Sequence, residues 1–279
     1  MQKDEAKIPI TVVIPVKNEE KTLPNCLRLL QEFDEVIVVD SSSTDHTPQI
    51  VEEYGRTYIN FVWNGRFPKK RNWALRNIKF RNDWVLFLDA DEFVTDDFKK
   101  EIAKTVATTD CVGFWINFQN EFMGKLMKHG APMRKLPFFK VGAGEYEFID
   151  EKEWSHLDME IHEHPVLNGK IGQIDSPIAH RDFRGLTKYI QKHNEYSSWE
   201  AHHFLEKKGH SGELTYQQKL KYKLLDSWLL APLYFCYCYF IKAGFLEGKE
   251  GFMWAALKMQ YFFNVKAKIE ELRKANPIP

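Results

Sequence analysis

Four short apolar runs between Ile10 and Ala90, separated by polar segments that can form helices, restrict the folds open to this chain more than any other feature. Residues 10–16, ITVVIPV, and 35–40, EVIVVD, are continuous rather than alternating, which predicts strands buried on both faces. Thr22 can cap a helix carrying Leu23, Cys26, Leu27 and Leu30 at helical spacing, and Thr44 or Asp45 can cap one with Pro48 in its first turn. A third apolar stretch at Tyr58–Trp63, a helical segment over Arg71–Ile78 and a fourth strand at 84–90, WVLFLDA, continue the series. Strands alternating with helices predict an α/β fold, a mostly parallel Rossmann-like sheet with helices on both faces. Ligands of such sheets lie at the carboxyl ends of the strands, where Asp40 and the Asp89–Glu92 cluster fall.

Past Cys111 the pattern weakens into short strands and loops that are assigned to the same domain, residues 1–183. Residues 184–279 read as helical, and residues 216–263 hold 14 of the 40 aromatic residues. The charge changes at the same place. The chain carries 39 basic and 39 acidic side chains, but residues 1–183 hold 24 and 30 of them and residues 184–279 hold 15 and 9. A zero total offers no basic surplus for general nucleic-acid binding. The apolar run Ser227–Ile241 is 15 residues long and contains Pro232, whereas a spanning helix needs about 20 apolar residues. Flanked by Lys219, Lys221, Lys223, Lys242 and Lys249, it fits a helix lying in an anionic membrane face, with a buried core helix pair as the alternative. The four cysteines, at 26, 111, 236 and 238, are too few and too irregular for a disulfide framework or a zinc knuckle. The amino-terminal MQKDEAKIPI has no apolar core of signal-peptide length. Free thiols and that terminus together lead to the expectation of a cytoplasmic protein.

Asp89-Ala90-Asp91-Glu92 ends an uninterrupted apolar strand, so three carboxylates crowd where the chain leaves the sheet. Like charges this close are tolerated mainly when a cation compensates them. Oxygen ligands favour Mg²⁺ or Mn²⁺, ions that usually bind through one or two carboxylates plus substrate phosphates. The plainer alternative is a solvated strand end that caps the next helix.

IPVKNEE at 14–20, VVDSSSTDHT at 38–47, KRNWAL at 70–75 and FLDADE at 87–92 together resemble the signature of family 2 glycosyltransferases, inverting nucleotide-sugar enzymes of the GT-A fold. The resemblance implies that Pro15 and Val16 line a nucleotide pocket with Glu19 at its edge, and that Asp40 accepts a hydrogen bond from the base. It further implies that Arg71 serves the nucleotide site, that Asp89 faces the ribose or a metal, and that Asp91 binds the metal at the diphosphate. Lys70 stands where many relatives carry a small residue. His180 is similar to a histidine near the metal or diphosphate, and a core or capping histidine is the alternative. UDP is the nucleotide that the resemblance favours.

Such a transfer expels a nucleoside diphosphate, and a divalent cation held at Asp91 would stabilise the charge growing on the leaving oxygen. It also needs a base for the acceptor hydroxyl, and candidates cluster in residues 158–164, DMEIHEH. In an extended segment Glu163 shares a face with Ile161, which would raise its pKa, so Glu163 is the expected base. Glu160 is the alternative, and an edge strand with solvated charges is the third reading. His193, His202 and His203 are read as solvent-facing, and Cys236 and Cys238 as packing residues. The segment from Lys242, KAGFLEGKEGFMWAAL, resembles the tail of lipopolysaccharide-core glucosyltransferases. The expected acceptor is therefore lipid-linked or of lipopolysaccharide type, met by a peripheral protein on the inner face of the plasma membrane. A sugar nucleotidyltransferase would share the sheet and acidic site, but its phosphate loop is Gly-rich and the loop here, PVKNEEKT, has no glycine. A non-catalytic, membrane-docked nucleotide-binding module is the other alternative.

Overall fold

The β-branched runs fold as buried strands because each presents alternate side chains to two separate cores. The computed structural model describes residues 7–130, 133–148, 164–209 and 222–275. They form two units, residues 1–120 with 133–181 and residues 121–132 with 182–279. In the first, β1 (Ile8–Val16), β2 (Phe33–Asp40), β3 (Thr57–Asn60) and β4 (Trp84–Phe87) pair in parallel in the order β3-β2-β1-β4. Val12, Ile14, Val38 and Leu86 face a core closed by Leu23 and Leu27 of α1 (Leu23–Leu29), Val51 of α2 (Thr47–Glu53), and Phe98 and Ile102 of α4 (Asp96–Thr108). Val13, Ile37, Val39, Val85 and Phe87 face the opposite core, packed against Trp73 and Ala74 of α3 (Lys70–Asn77). The period-2 geometry of a strand thus divides one apolar run between two helical layers.

The sheet continues as β4-β8-β6-β11-β5, with β5 at Glu92–Phe93, β6 at Gly113–Phe122, β8 at Met133–Lys140 and β11 at Ile171–His180. Here the expected mostly parallel sheet becomes mixed. β8 lies antiparallel to both β4 and β6, and β5 antiparallel to β11, while β6 and β11 are parallel. The reason is chain economy: β8 returns along β6 after a connection of about ten residues, too short for the crossover that a parallel neighbour needs. β9 (Gly144–Tyr146) and β10 (Pro165–Leu167) form a separate antiparallel pair. In this register Val16 opposes Asp40 and Val13 opposes Phe87, so the chain leaving β4 reaches Asp89 at the same edge as the ends of β1 and β2.

The second unit includes β7 (Lys125–Leu126), paired with the end of β6, and α5 (Leu186–Gly209). It continues through α6 (Leu230–Cys236), a π-helical turn at Tyr237–Ile241, a 3₁₀ turn at Gly244–Glu247 and α7 (Lys249–Ala275). Ala201 and Phe204 of α5 bury against Leu225 and against Val265 and Ile269 of α7. Two histidines depart from the solvent reading. His203 is buried and stacks on Trp199, and His193 lies 3.9 Å over the Tyr189 ring, with burial pushing its pKa down to about 4. Aromatic residues one turn away supplied apolar partners that the spacing of the histidines alone did not reveal. Of the cysteine pair, Cys238 packs inside while Cys236 is exposed. No helix among the described residues is long and apolar enough to cross a membrane.

Glu247 organises this unit. Its buried carboxylate accepts from the backbone N–H groups of Lys128 and His129 and from the side chains of Lys125 and His129. Burial opposes the charge, but these donors outweigh it and hold the pKa down to about 2. Because the folded-state value is depressed, the contribution is present above the ordinary glutamate range and lost as pH falls through the folded value. Gly251 allows the first turn of α7 to meet the 3₁₀ turn, since a Cβ there would stand 1.9 Å from the Gly244 carbonyl oxygen. Gly251→Ala is expected to cost about 1–3 kcal/mol by overpacking. Urea denaturation of the full chain checks this, and an unchanged midpoint would show that the two turns do not meet as described.

Candidate active site

Each parallel strand delivers a polar group to the same edge. The Asp40 carboxylate, fully buried at the end of β2, accepts from the Ser43 backbone N–H at 2.9 Å, from the Ser43 hydroxyl, and from the Tyr58 hydroxyl at 2.8 Å. Burial and the neighbouring Asp40 charge push the Tyr58 phenol up to about 12. At the end of β1, the Val16 carbonyl accepts from the buried Lys70 ammonium at 2.9 Å, so Lys70 braces the strand end. The loop after Val16 is tied to its neighbour as well. The Glu19 N–H donates to the Thr47 hydroxyl, and the Glu19 carboxylate accepts from Thr22. Thr22 therefore precedes α1 without capping it.

Past the end of β4 the carboxylates meet two cations. Arg71, in the first turn of α3, donates to Asp89 Oδ1 at 2.8 Å. Lys135, from β8, donates to Asp89 Oδ2 at 3.1 Å and to Glu92, while Glu92 accepts from the Asp89 backbone N–H at 2.9 Å. Burial alone would raise the Asp89 pKa, but Lys135 and Arg71 reverse the sign and hold it well below the usual carboxylate range. The same carboxylates raise Lys135 against its own desolvation. For Glu92 the desolvation wins and its pKa is raised, with Lys135 opposing. Arg71 is itself positioned, lying 5.4 Å over the Tyr146 ring. Asn72, the next residue of α3, exchanges two hydrogen bonds with the Tyr146 backbone.

Asp91 belongs to a different set of partners. The antiparallel pairing of β5 with β11 places His180 opposite Glu92, and the Arg181 N–H donates to the Asp91 carbonyl at 2.8 Å. His180 Nε2 then stands 3.6 Å from Asp91 Oδ1, while Nδ1 lies 2.9 Å from Asn120 Oδ1 on β6. The Asn120 side chain thus fixes the orientation of the imidazole, with Nε2 on the side of the Asp91 carboxylate. A second-nitrogen hydrogen bond of this kind orients metal-binding histidines. Asp91 and His180 each offer a ligand atom within 4.8 Å of one another. Asp182 follows two residues after His180 in sequence.

The structure therefore brings Pro15, Val16, Glu19, Asp40, Arg71, Asp89 and Asp91 to one edge of the sheet and adds His180 from β11. Glu160 and Glu163 lie outside the described residues. Three contributors escaped the sequence reading: Lys135, Asn120 and the inward direction of Glu92. The available signal for Lys135 was a lone ammonium one residue before the apolar LPFF of β8; for Asn120, nothing in the sequence marks it.

Comparison with known proteins shows the family of the chain. The glycosyl transferase family 2 profile matches residues 11–156. The lipopolysaccharide core biosynthesis glycosyltransferase LpsC of Rhizobium meliloti is 28% identical over 97% of this chain and 96% of its own length. A glycosyltransferase of Rickettsia prowazekii is 26% identical over 88% of this chain and 80% of its own. Among solved structures, S. aureus TarS in complex with UDP-GlcNAc is 17% identical, with a TM-score of 0.48 over 95% of this chain and 92% of that one. Glucosyl-3-phosphoglycerate synthase from Mycobacterium tuberculosis, in complex with Mn²⁺, UDP and glucosyl-3-phosphoglycerate, is 25% identical, with a TM-score of 0.32 over 40% of this chain and 44% of that one.

Lys135→Met leaves Asp89 with Arg71 and takes away the lysine that pairs with Glu92. The expected destabilisation is on the order of 2 kcal/mol, below the cost of breaking a fully buried pair because the Lys135 side chain keeps 30% of its exposure. The difference from the unsubstituted protein should be largest near neutral pH and shrink as pH falls below about 4, where carboxylates begin to protonate in the unfolded chain. Urea denaturation across that range measures it; a difference independent of pH would show that Lys135 acts through packing instead.

Proposed function

Because the chain belongs to glycosyl transferase family 2, we propose that it moves a sugar from a nucleoside-diphosphate donor to a lipid-linked or lipopolysaccharide-type acceptor, with inversion at the anomeric carbon. The observation that carries this reading is the Asp91–His180 pair, set beside an Asp89 already neutralised by Arg71 and Lys135. An oxygen and an imidazole nitrogen directed at one another suit a divalent cation. The carboxylate suits Mn²⁺ and Mg²⁺ alike, and the imidazole favours Mn²⁺. When bound there, such an ion supplies positive charge for the departing diphosphate.

The other groups have roles that follow from their positions. Pro15 and Val16 form the wall at the end of β1, and Asp40, buried beneath Ser43 and Tyr58, meets the base of a UDP donor once those hydroxyls give way to it. Arg71 holds Asp89 toward the ribose side, and Glu19 stiffens the loop at the pocket edge. Asn120 holds the His180 imidazole with Nε2 turned toward Asp91. A carboxylate from residues 158–164, with Glu163 preferred and Glu160 second, takes the acceptor proton. The full-length similarity to a lipopolysaccharide core transferase supports the acceptor class.

Turnover with UDP-sugars and a lipopolysaccharide-core acceptor tests the assignment of the base. Glu163→Gln should lower kcat by about 10²–10⁴-fold with the donor KM unchanged, the usual size for a lost general base. Near-normal turnover would move the role to Glu160. His180→Ala should lower donor affinity in Mn²⁺ without unfolding the chain, whereas Asn120→Ala should give a smaller loss of the same kind, about 10–100-fold in metal affinity. Equal donor affinity in all three proteins would remove the imidazole from the site.

A further inference from the structure

The second unit exposes apolar side chains where a water-facing surface would carry charge. From Ser227 to Leu246 the chain has no acidic residue and a single basic one, Lys242. Leu229 is 66% exposed, Phe240 59%, Ile241 74% and Leu246 59%. Exposed Leu229, Leu233 and Phe240 follow one another at intervals of four and seven residues, one stripe of a helical path that runs from α6 into the π-helical turn. The patch is continuous at its end. Tyr239 has Phe235, Phe240, Phe245 and Phe252 around it, with ring centroids 5.1–6.4 Å away.

Lysines border this patch, with Glu250 beside Lys249 as the one acid in the first turn of α7. Lys223 and Lys249 are exposed, and Lys242 reaches over the Tyr237 ring at 5.4 Å. Two of the neighbouring acids are engaged inside the unit, Glu247 by Lys125 and His129, and Asp226 by Lys266 and Arg273. α6 has seven residues, about 10 Å of helix, which suits lying along a surface rather than crossing a bilayer.

We infer that this aromatic hook, from α6 through the 3₁₀ turn, docks the protein on an anionic lipid bilayer, with Phe240, Ile241, Phe245 and Leu246 entering the acyl boundary and Lys242 and Lys249 meeting the phosphate groups. Tyrosine and phenylalanine rings gathered at one place suit the headgroup level, where one side of a ring is wet and the other apolar. Lysines there add a dependence on anionic lipid and on salt. The inference goes beyond the donor chemistry and does not rest on it.

Cosedimentation of the full chain with vesicles of phosphatidylcholine and phosphatidylglycerol, against vesicles of phosphatidylcholine alone, tests it. Binding should require phosphatidylglycerol and weaken with salt. Phe240→Ser with Phe245→Ser should lower the partition coefficient tenfold or more, roughly the effect of removing two inserted rings. Lys242→Gln should lower it by about fivefold, the effect of one cation at the surface. Ile241→Ser with Leu246→Ser, at the most exposed positions, guards against loss of fold in the first variant, and UDP binding in the same samples reports separately on the donor site. Absence of vesicle binding by the unsubstituted chain, or binding unchanged by both double variants, would overturn the inference. So would a dimer in sedimentation that the same variants dissolve, because the patch would then be covered by a second copy.

Discussion

Three carboxylates within four residues would repel one another at the end of β4 if the fold did not deliver cations to them. Arg71 arrives from α3 and Lys135 from β8, and together they grip both oxygens of Asp89. Everything else at this edge depends on that grip. It allows Glu92 to turn inward beneath the loop, and it leaves Asp91 to pair with a histidine instead of with a lysine. The electrostatic cost of a buried carboxylate is thus met by fixed protein charges at Asp89, while the pair able to bind an ion sits two residues away.

The parts of this arrangement that were legible from sequence are those set by local pattern. Short continuous β-branched runs favour strands with two covered faces, and the two faces of β1 are divided between α3 and the layer of α1, α2 and α4. Asp40 and the Asp89–Glu92 cluster follow such runs and so had to fall at the carboxyl edge. The partners brought by sheet order were not legible. β8 enters between β4 and β6 in the antiparallel sense, and β11 reaches β5 from far along the chain, so Lys135, Asn120 and the pairing of His180 with Asp91 have no local signal. The mixed character of the sheet escaped notice for the same reason: its antiparallel members are half-buried strands whose neighbours are decided by tertiary contacts.

In the second unit, composition was a better guide than spacing. The concentration of aromatic residues marked a different environment, yet the rings stacked on His193 and His203, Tyr189 and Trp199, precede it, while several of its own side chains stay exposed. Glu247 shows how such a unit keeps its turns in place without a large core, by giving one buried carboxylate two backbone N–H groups, a lysine ammonium and an imidazole. The acid shift that results keeps this carboxylate charged until conditions become strongly acidic.

In the function proposed for this chain, Asp91, oriented with His180, links divalent cation binding to nucleoside diphosphate binding at the carboxyl edge of the sheet. Calorimetric titration of UDP into the full chain, in Mn²⁺ and again in EDTA, with Asp91→Ala as the comparison, measures that linkage directly. The account predicts UDP binding that needs both the ion and Asp91, with the melting temperature of the substituted protein in the absence of ligand unchanged. UDP binding of equal strength in EDTA, or in Asp91→Ala with Mn²⁺, would contradict it.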